Sequence, residues 1–416
     1  MPRKIVIHYH SDCPFFAGCE NMLANFFNSD EFRQTHSISF SYRYSKHYAQ
    51  GFKQRVESEL PLYPIVFPDL SDFTVLPHWL SLMSKRLIMV FIRVLLLGPV
   101  LIYEIVVLFR LFKKLEPDIL HINNGGYPAA LSARAAAIAG KLAGVPKVLM
   151  VVNNLASDYQ RFSRWLDYPV DRLVIRSVDL FVTGSEAAAT RLCTVLNILK
   201  HKAIAIHNGI AVRNASATEA DTRERLGITN FDGVIFGVVA LLIPRKGHQV
   251  LLDAIFKLVT ERKVKNQELK ILIEGDGPLK EKLVDFINKH NLDRWFMFVG
   301  DEENIVDFMS ILDVLILPSI QDEDFPNVIL EAMSLGKPVI ATRLAGTPEQ
   351  IVDGVTGLLV EPRNVDQLRD AICHLMDNQR VRHEMGIAAL ERFDRKFTSH
   401  VALDNYATLY GTLLGT

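Results

Sequence analysis

The chain alternates short β-branched runs with amphipathic helical stretches, and it does so twice. In the first half the runs are "KIVIHYH", "SISFSYRY", "YPIVF", "DILHIN", "KVLMVVN", "DLFVTGS" and "AIAIHNG". A second series starts afresh with "VIFGVVALL", "KILIEGDG", "FMFVGD", "DVLILPS", "PVIAT" and "GLLVEP". Near-continuous apolar runs, each followed by a helical stretch or a Gly/Pro/Asp-rich turn, belong to parallel sheets covered by helices on both faces. Between the two series lies "VRNASATEADTRERLGITNFDG", polar and poor in large apolar residues, as a linker should be. The pattern predicts an α/β fold of two doubly wound domains. No fixed-period repeat, low-complexity tract or long charge run competes with it.

Composition narrows the function classes. A chain of 416 residues, 49% hydrophobic, can build a large core and divide into two domains. Lys plus Arg (46) nearly cancels Asp plus Glu (47), so no global field favours nucleic acid, and any anion site must be local. Cys13, Cys19, Cys193 and Cys373 fit neither metal-ligand spacing nor a disulfide framework, which suggests a reducing compartment. The start, "MPRKIVIHYH", runs a basic pair straight into a strand pattern without the apolar core of a signal peptide. The expected location is cytoplasmic.

One segment, Trp79 to Lys114, is far more apolar than a surface helix. Its longest uncharged run, Val94 to Tyr103, is ten residues, against the roughly 20 that span a bilayer. Gly98-Pro99 interrupts it, so two half-helices are expected. At helical spacing Arg86, Arg93 and Glu104 share one narrow stripe, leaving a wide apolar face for the domain core or for a membrane surface. Lys85, Arg86, Arg110, Lys113 and Lys114 flank that face with positive charge.

In doubly wound sheets ligands bind beyond the carboxyl ends of the strands, and two such sheets facing each other enclose a cleft. After "VVALL", Arg245, Lys246 and Gly247 precede an apolar-periodic helix, where N–H groups and an ammonium could hold a diphosphate; an exposed basic turn would read the same way. "EGDGP" is a tight turn that matches neither the Walker nor the dinucleotide glycine spacing, so ATPase and dehydrogenase readings lose support. In "SIQDEDFPNVILEAMSLGKPVIAT" the acids Glu323 and Glu331 straddle a strand-to-helix junction, as capping carboxylates or as ligand-binding ones.

Five segments occur in a fixed order: "VALLIPRKGHQVLLDAI", "KILIEGDGPLKEKL", "FVGDEENIVDFMSILDVLILPS", "EDFPNVILEAMSLGKPVIAT" and "AGTPEQIVDGVTGLLVEP". Together they resemble the donor domain of retaining GT-B glycosyltransferases of family 4, the glycosyl transferases group 1 type, from Val234 to about Phe397. The first half is similar more loosely, through "PFFAGCENMLANF", "PDILHINNGGYPAALSARAAAIAGKLAGVPKV", "VTGSEAAATRL" and "AIHNGI". The resemblance implies two Rossmann-like domains facing across a cleft: 1–210 on the acceptor side, 211–397 for the donor, and a C-terminal helix, 398–416, returning to the first domain.

The resemblance also assigns roles. Glu323 and Glu331 become the two acids of the family's E-x7-E motif. Glu331 would accept hydrogen bonds from ribose hydroxyls while Glu323 faces the transferred sugar, since a diol offers two donors to two carboxylate oxygens. Phe325, Asn327 and Val328 would present N–H groups to sugar and phosphate oxygens. Lys246 would neutralise the departing diphosphate. The family commonly places an Arg five residues before this Lys; here the position is Leu241, leaving Arg245 or backbone donors to replace that charge. Gly18 would let the first domain's backbone approach the diphosphate. Asn123 stands where the family often has a His, and it cannot titrate as a general base. His121, Asn153 and Asn154 are acceptor-side candidates, with a structural role favoured for His121 as a strand histidine. His207 and Asn208 are expected at a hinge.

The implied reaction is metal-independent, retaining transfer of a hexosyl group from a nucleotide-sugar to an acceptor hydroxyl, with the sugar nucleotide as co-substrate and no further cofactor. The apolar segment points to a lipid-linked saccharide acceptor, as in lipopolysaccharide or other cell-surface polysaccharide assembly, at the cytoplasmic face of a membrane. A catalytically inactive nucleotide-sugar-binding protein and a sugar-nucleotide epimerase are the alternatives.

Overall fold

The computed structural model describes residues 3–13, 16, 18–68, 82–160, 162–300 and 304–415; for Cys19, 82–94 and 162–163 it describes the backbone alone. The chain forms two compact units, Met1–His207 with Leu403–Thr416, and Asn208–Ala402.

The first unit runs β1 (Ile5–Ser11), α1 (Asn21–Asn28), α2 (Asp30–Thr35), β2 (His36–Arg43), α3 (Lys46–Arg55), β3 (Leu62–Ile65), α4 (Leu82–Leu115), β4 (Ile119–Asn124), α5 (Leu131–Ala143), β5 (Lys147–Val152), α6 (Phe162–Trp165), α7 (Tyr168–Ser177), β6 (Leu180–Thr183), α8 (Glu186–Leu196) and β7 (Ala203–Ala205). All seven strands are parallel, in the order β3-β2-β1-β4-β5-β6-β7. The strand order therefore reverses between β1 and β4, the position where such sheets bind ligands. Strand periodicity sends alternate residues of β1 to opposite faces. Tyr9 packs with Phe26 and Phe27 of α1, whereas His8 lies against Phe112 of α4.

His8 and His10 are fully buried and are satisfied by hydroxyls. His8 bonds Ser39 and Ser41 at 2.7 and 2.8 Å, and His10 bonds Ser41 and Ser132 at 2.9 and 3.1 Å. Burial pushes their pKa values down to about 3 and about 4, keeping both imidazoles neutral.

The expected break at Gly98-Pro99 does not occur: α4 is one helix with Pro99 inside it. Proline removes the donor for the carbonyl four residues earlier. Leu95 and Pro99 are both exposed, so that carbonyl is open to water and the helix continues. Glu104 also differs from expectation, because it lies on the buried face with Leu97, Val100, Leu101, Leu108 and Phe112, not on a solvated stripe. That face packs on α5, whose alanines let the two helices approach closely. By length and composition Leu95–Leu115, mean hydropathy 2.1, could cross a membrane, though a third of it is buried within the unit. Trp79, Leu80 and Ser81 lie outside the described residues.

The second unit contains α9 (Glu219–Arg225), β8 (Val234–Val239), α10 (His248–Arg262), β9 (Leu269–Glu274), α11 (Lys280–Lys289), β10 (Phe296–Gly300), α12 (Ile305–Ser310), β11 (Val314–Leu317), α13 (Asn327–Ser334), β12 (Val339–Thr342), α14 (Thr347–Gln350), β13 (Gly357–Val360), α15 (Val365–Asp377) and α16 (Gln379–Lys396). Its parallel sheet has the order β10-β9-β8-β11-β12-β13, reversing between β8 and β11. The polar stretch after Asn208 is docked on α12: Asp307 accepts hydrogen bonds from the N–H groups of Ser216 and Ala217 and from the Ser216 hydroxyl. The last helix, α17 (Ser399–Leu414), starts in the second unit and ends in the first.

Candidate active site

In the second unit the two loops at the strand reversal are built into each other. Beyond β8 the chain makes a 3-10 turn, Pro244–Lys246, and reaches Gly247 in the left-handed region at φ 72°. A Cβ on Gly247 would stand 1.9 Å from the carbonyl oxygen of Pro318, just beyond β11, so only glycine permits this approach. The Ile320 N–H donates to the Arg245 carbonyl at 2.8 Å and ties the second loop to the first.

This joint brings three predicted residues onto one oxygen. Glu323 Oε2 accepts from Lys246 Nζ at 2.6 Å and from Arg245 Nη1 at 3.3 Å. Ser319 Oγ donates to the same atom at 2.9 Å. The carboxylate is 8% exposed, so the cations hold a charge that would be costly to bury alone. Arg245 also donates to the Asp322 carbonyl at 3.0 Å, which fixes its guanidinium beside Lys246. Leu241, in the loop just beyond β8, is 59% exposed and supplies no charge; the second cation of the site is Arg245.

The chain then enters α13 through Pro326, with Phe325 buried edge-on to Phe397 at 5.8 Å. Asn327 and Val328 open the helix, where N–H groups point out of its end. Glu331 lies in the second turn and is half-buried. Desolvation raises its pKa above the usual carboxylate range, with the Arg213 charge opposing. His248, at the start of α10, is buried and held neutral. Burial and the Lys246 charge push its pKa down to about 4, and neither ring nitrogen has a hydrogen-bond partner among the described residues.

In the first unit a polar cluster forms at the β1/β4 reversal. Glu20 Oε1 accepts from Ser11 Oγ at 2.7 Å and from Asn123 Nδ2 at 3.2 Å, and Asn153 Nδ2 donates to Asn123 Oδ1 at 2.9 Å. Gly18 belongs to the 3-10 turn that delivers Glu20. Asn154, half-buried, closes a local turn, its Oδ1 accepting from the Leu155 N–H at 2.8 Å. His121 is a core residue: its Nδ1 bonds the Tyr410 hydroxyl at 2.6 Å, Tyr9, Phe26 and Tyr406 surround the ring, and burial lowers its pKa to about 3. Glu20 and Ser319 are organising residues that sequence reasoning missed. The only sequence signal was that Glu20 follows Gly18 and that Ser319 precedes Glu323 in the same loop. Among the described residues no group of three or more His, Cys, Asp or Glu side chains is arranged to hold a metal ion.

Two family descriptions match the chain: Glycosyl transferases group 1 over residues 222–392, and Glycosyltransferase Family 4 over residues 77–213. Over these two segments the chain is similar to the group 1 glycosyltransferases. Its fold is GT-B. The structure of Anabaena Alr3699/HepE in complex with UDP superimposes with a TM-score of 0.76 at 18% identity, covering 98% of this chain and 100% of that one. An uncharacterized glycosyltransferase of Methanocaldococcus jannaschii, MJ1178, is 33% identical over 202 residues, 48% of this chain and 51% of the relative. The UDP-Gal:alpha-D-GlcNAc-diphosphoundecaprenol alpha-1,3-galactosyltransferase of Escherichia coli is 24% identical over 285 residues, 66% of this chain and 70% of the relative. The chain spans about half the length of several curated relatives that it matches.

Proposed function

We propose that this chain is a retaining, metal-independent glycosyltransferase that moves a hexosyl group from a nucleoside diphosphate sugar to a saccharide hydroxyl, with no cofactor beyond that co-substrate. The observation that carries the reading is the meeting of Lys246, Arg245 and Glu323 at the strand reversal of the second unit. Two cations beside a helix start suit a pyrophosphate, and they stabilise the charge that builds as the bond to phosphate breaks. A retaining route follows if the leaving phosphate takes the acceptor proton on the same face, since Asn123 cannot titrate. In that state Glu323 exchanges its hold on the cations for the sugar's hydroxyls. Glu331 holds the ribose, and the N–H groups of Phe325, Asn327 and Val328 serve sugar and phosphate oxygens. Gly18 lets the first domain's backbone approach the diphosphate, and Asn123 and Asn153 serve the acceptor side.

A lipid-linked acceptor in cell-surface polysaccharide assembly fits two findings: the diphosphoundecaprenol-linked substrate in the name of the Escherichia coli relative, and the exposed Leu95, Ile102, Tyr103 and Val106 of α4, which lead to Arg110, Lys113 and Lys114. Such a face would hold the enzyme peripherally on the cytoplasmic side of an anionic membrane.

The test is incubation of isotope-labelled UDP-, GDP- and ADP-sugars with lipid extract. Transfer or slow donor hydrolysis that disappears in Lys246→Ala and Glu323→Ala supports the proposal. Tight nucleotide binding without turnover would make the chain a binding protein, and donor conversion without an acceptor would make it an epimerase.

A further inference from the structure

The loop leaving β5 begins at Asn153, a member of the polar cluster at the β1/β4 reversal, and ends on a group of three rings, two of them exposed. Tyr159, Trp165 and Tyr168 lie with centroids 5.7 to 6.3 Å apart. Trp165 is 58% and Tyr168 45% exposed. Exposed rings are common singly, but these three are held as a set by an underlying ionic network.

Arg164 bonds Asp171 at 2.5 Å, and its guanidinium lies 4.3 Å from the centre of the Tyr159 ring. The Tyr159 hydroxyl donates to Asp171 at 2.6 Å, and Arg134 donates to Asp167 at 2.8 Å. Two arginines and two aspartates, each 5% exposed or less, balance one another beneath the surface. Buried ion networks are seldom the cheapest way to stabilise a fold; apolar residues of similar volume serve as well or better. What this one provides is orientation: it fixes the backing ring, the end of α6 that carries Trp165 and the start of α7 that carries Tyr168, and preorganisation of that kind favours binding.

The chemistry of the surface separates it from α4. That helix exposes three aliphatic side chains and a single ring, Tyr103, leading to Arg110 and two lysines, as a lipid face would. The loop from Asn153 to Tyr168 instead combines flat rings with Asp158 and Gln160, planar hydrogen-bonding groups beside them. A pyranose ring has this dual character, with one face of C–H groups and a rim of hydroxyls. The loop also leaves the carboxyl edge of its sheet, the edge on which such folds bind ligands.

We propose that Trp165 and Tyr168, backed by Tyr159, form a stacking platform for a pyranose ring of the acceptor saccharide. The assignment rests on the glycosyltransferase reading, and its test is separable from it.

The full chain is labelled with 5-fluorotryptophan, and the Trp165 resonance is identified by its loss in Trp165→Phe. Methyl glycosides and neutral oligosaccharides of glucose, galactose and N-acetylglucosamine are then titrated to tens of millimolar. The expected result is a saturable shift of the Trp165 resonance by at least one saccharide, with affinity about tenfold weaker in Tyr168→Ala. UDP binding to each variant reports that it is folded. A resonance moved only by phosphatidylglycerol vesicles assigns the rings to a lipid surface, one that moves with protein concentration assigns them to self-association, and one that none of these moves leaves them without a ligand. Each of these outcomes overturns the proposal. Failure of UDP or any sugar nucleotide to bind the wild-type chain would instead refute the glycosyltransferase reading, whatever Trp165 does.

Discussion

Glu323→Gln separates restraint of the cations from catalysis. One Glu323 carboxylate oxygen meets Lys246 at 2.6 Å and Arg245 at 3.3 Å, and side-chain exposures of 10–11% for Glu323 and Lys246 limit solvent screening. A pyrophosphate must compete with that carboxylate for both cations. A hydrogen bond to a charged group contributes about 1.5–3 kcal/mol and a neutral one about 1 kcal/mol, so the amide should free roughly 0.5–2 kcal/mol for the ligand. Because 1.4 kcal/mol is tenfold, UDP should bind about two- to thirtyfold more tightly to Glu323→Gln. Transfer should move the opposite way, falling about a hundredfold or more, since an amide holds the sugar's hydroxyls with one acceptor instead of a charged pair. Isothermal titration with UDP gives the first quantity and release of labelled sugar the second. Weaker UDP binding would mean that Glu323 is part of the nucleotide's grip; unchanged transfer would mean that it never touches the sugar. Either result refutes the reasoning.

Three other outcomes follow from the geometry. Gly247→Ala forces a side chain into a positive φ and onto the Pro318 carbonyl, so it should lower stability by at least about 1–2 kcal/mol, read by denaturant midpoint, and impair donor binding through Lys246. The raised pKa of Glu331 means that the carboxylate proposed to hold the ribose protonates earlier than usual on acidification. Donor KM should therefore rise as pH falls, starting above the ordinary carboxylate range, and Glu331→Gln should remove that dependence; a pH-independent KM in the wild type contradicts the assignment. His8, His10, His121 and His248 have folded pKa values near 3 to 4, below the value of about 6.5 in an unfolded chain, so the unfolded state binds more protons in that window. Stability should fall as pH drops from about 6.5 towards 4, by about 1.4 kcal/mol per pH unit per histidine, and hydrogen exchange should show the larger loss in the first unit, which holds three of the four.

Thirteen strands and their grouping into two sheets were legible because parallel strands buried on both faces are written as apolar runs, a signal local to each strand. The proline in α4 misled for the opposite reason. Its cost depends on whether the freed carbonyl meets water, and that depends on which face α5 covers. Glu104 was misplaced similarly, since helical phase shows which residues share a stripe but not which stripe is buried. In the site, Lys246 and Glu323 stood out by motif, but their sharing of one oxygen did not, because it arises from Gly247 meeting Pro318 across the sheet. Glu20 and Ser319 are ordinary residues in sequence; only the pairing of β1 with β4 and the turn beyond β11 give them partners.

The central claim is that Lys246, Glu323 and Glu331 hold one sugar nucleotide, and a binding cycle addresses it most directly. The nucleoside diphosphate that binds best and its 2′,3′-dideoxy analogue are titrated against the wild-type chain and Glu331→Ala. The account predicts that loss of the hydroxyls weakens wild-type binding about tenfold or more, and that the same loss has almost no further effect once Glu331 is gone. Equal affinities of the wild type for the two ligands, or additive losses in the cycle, would contradict it.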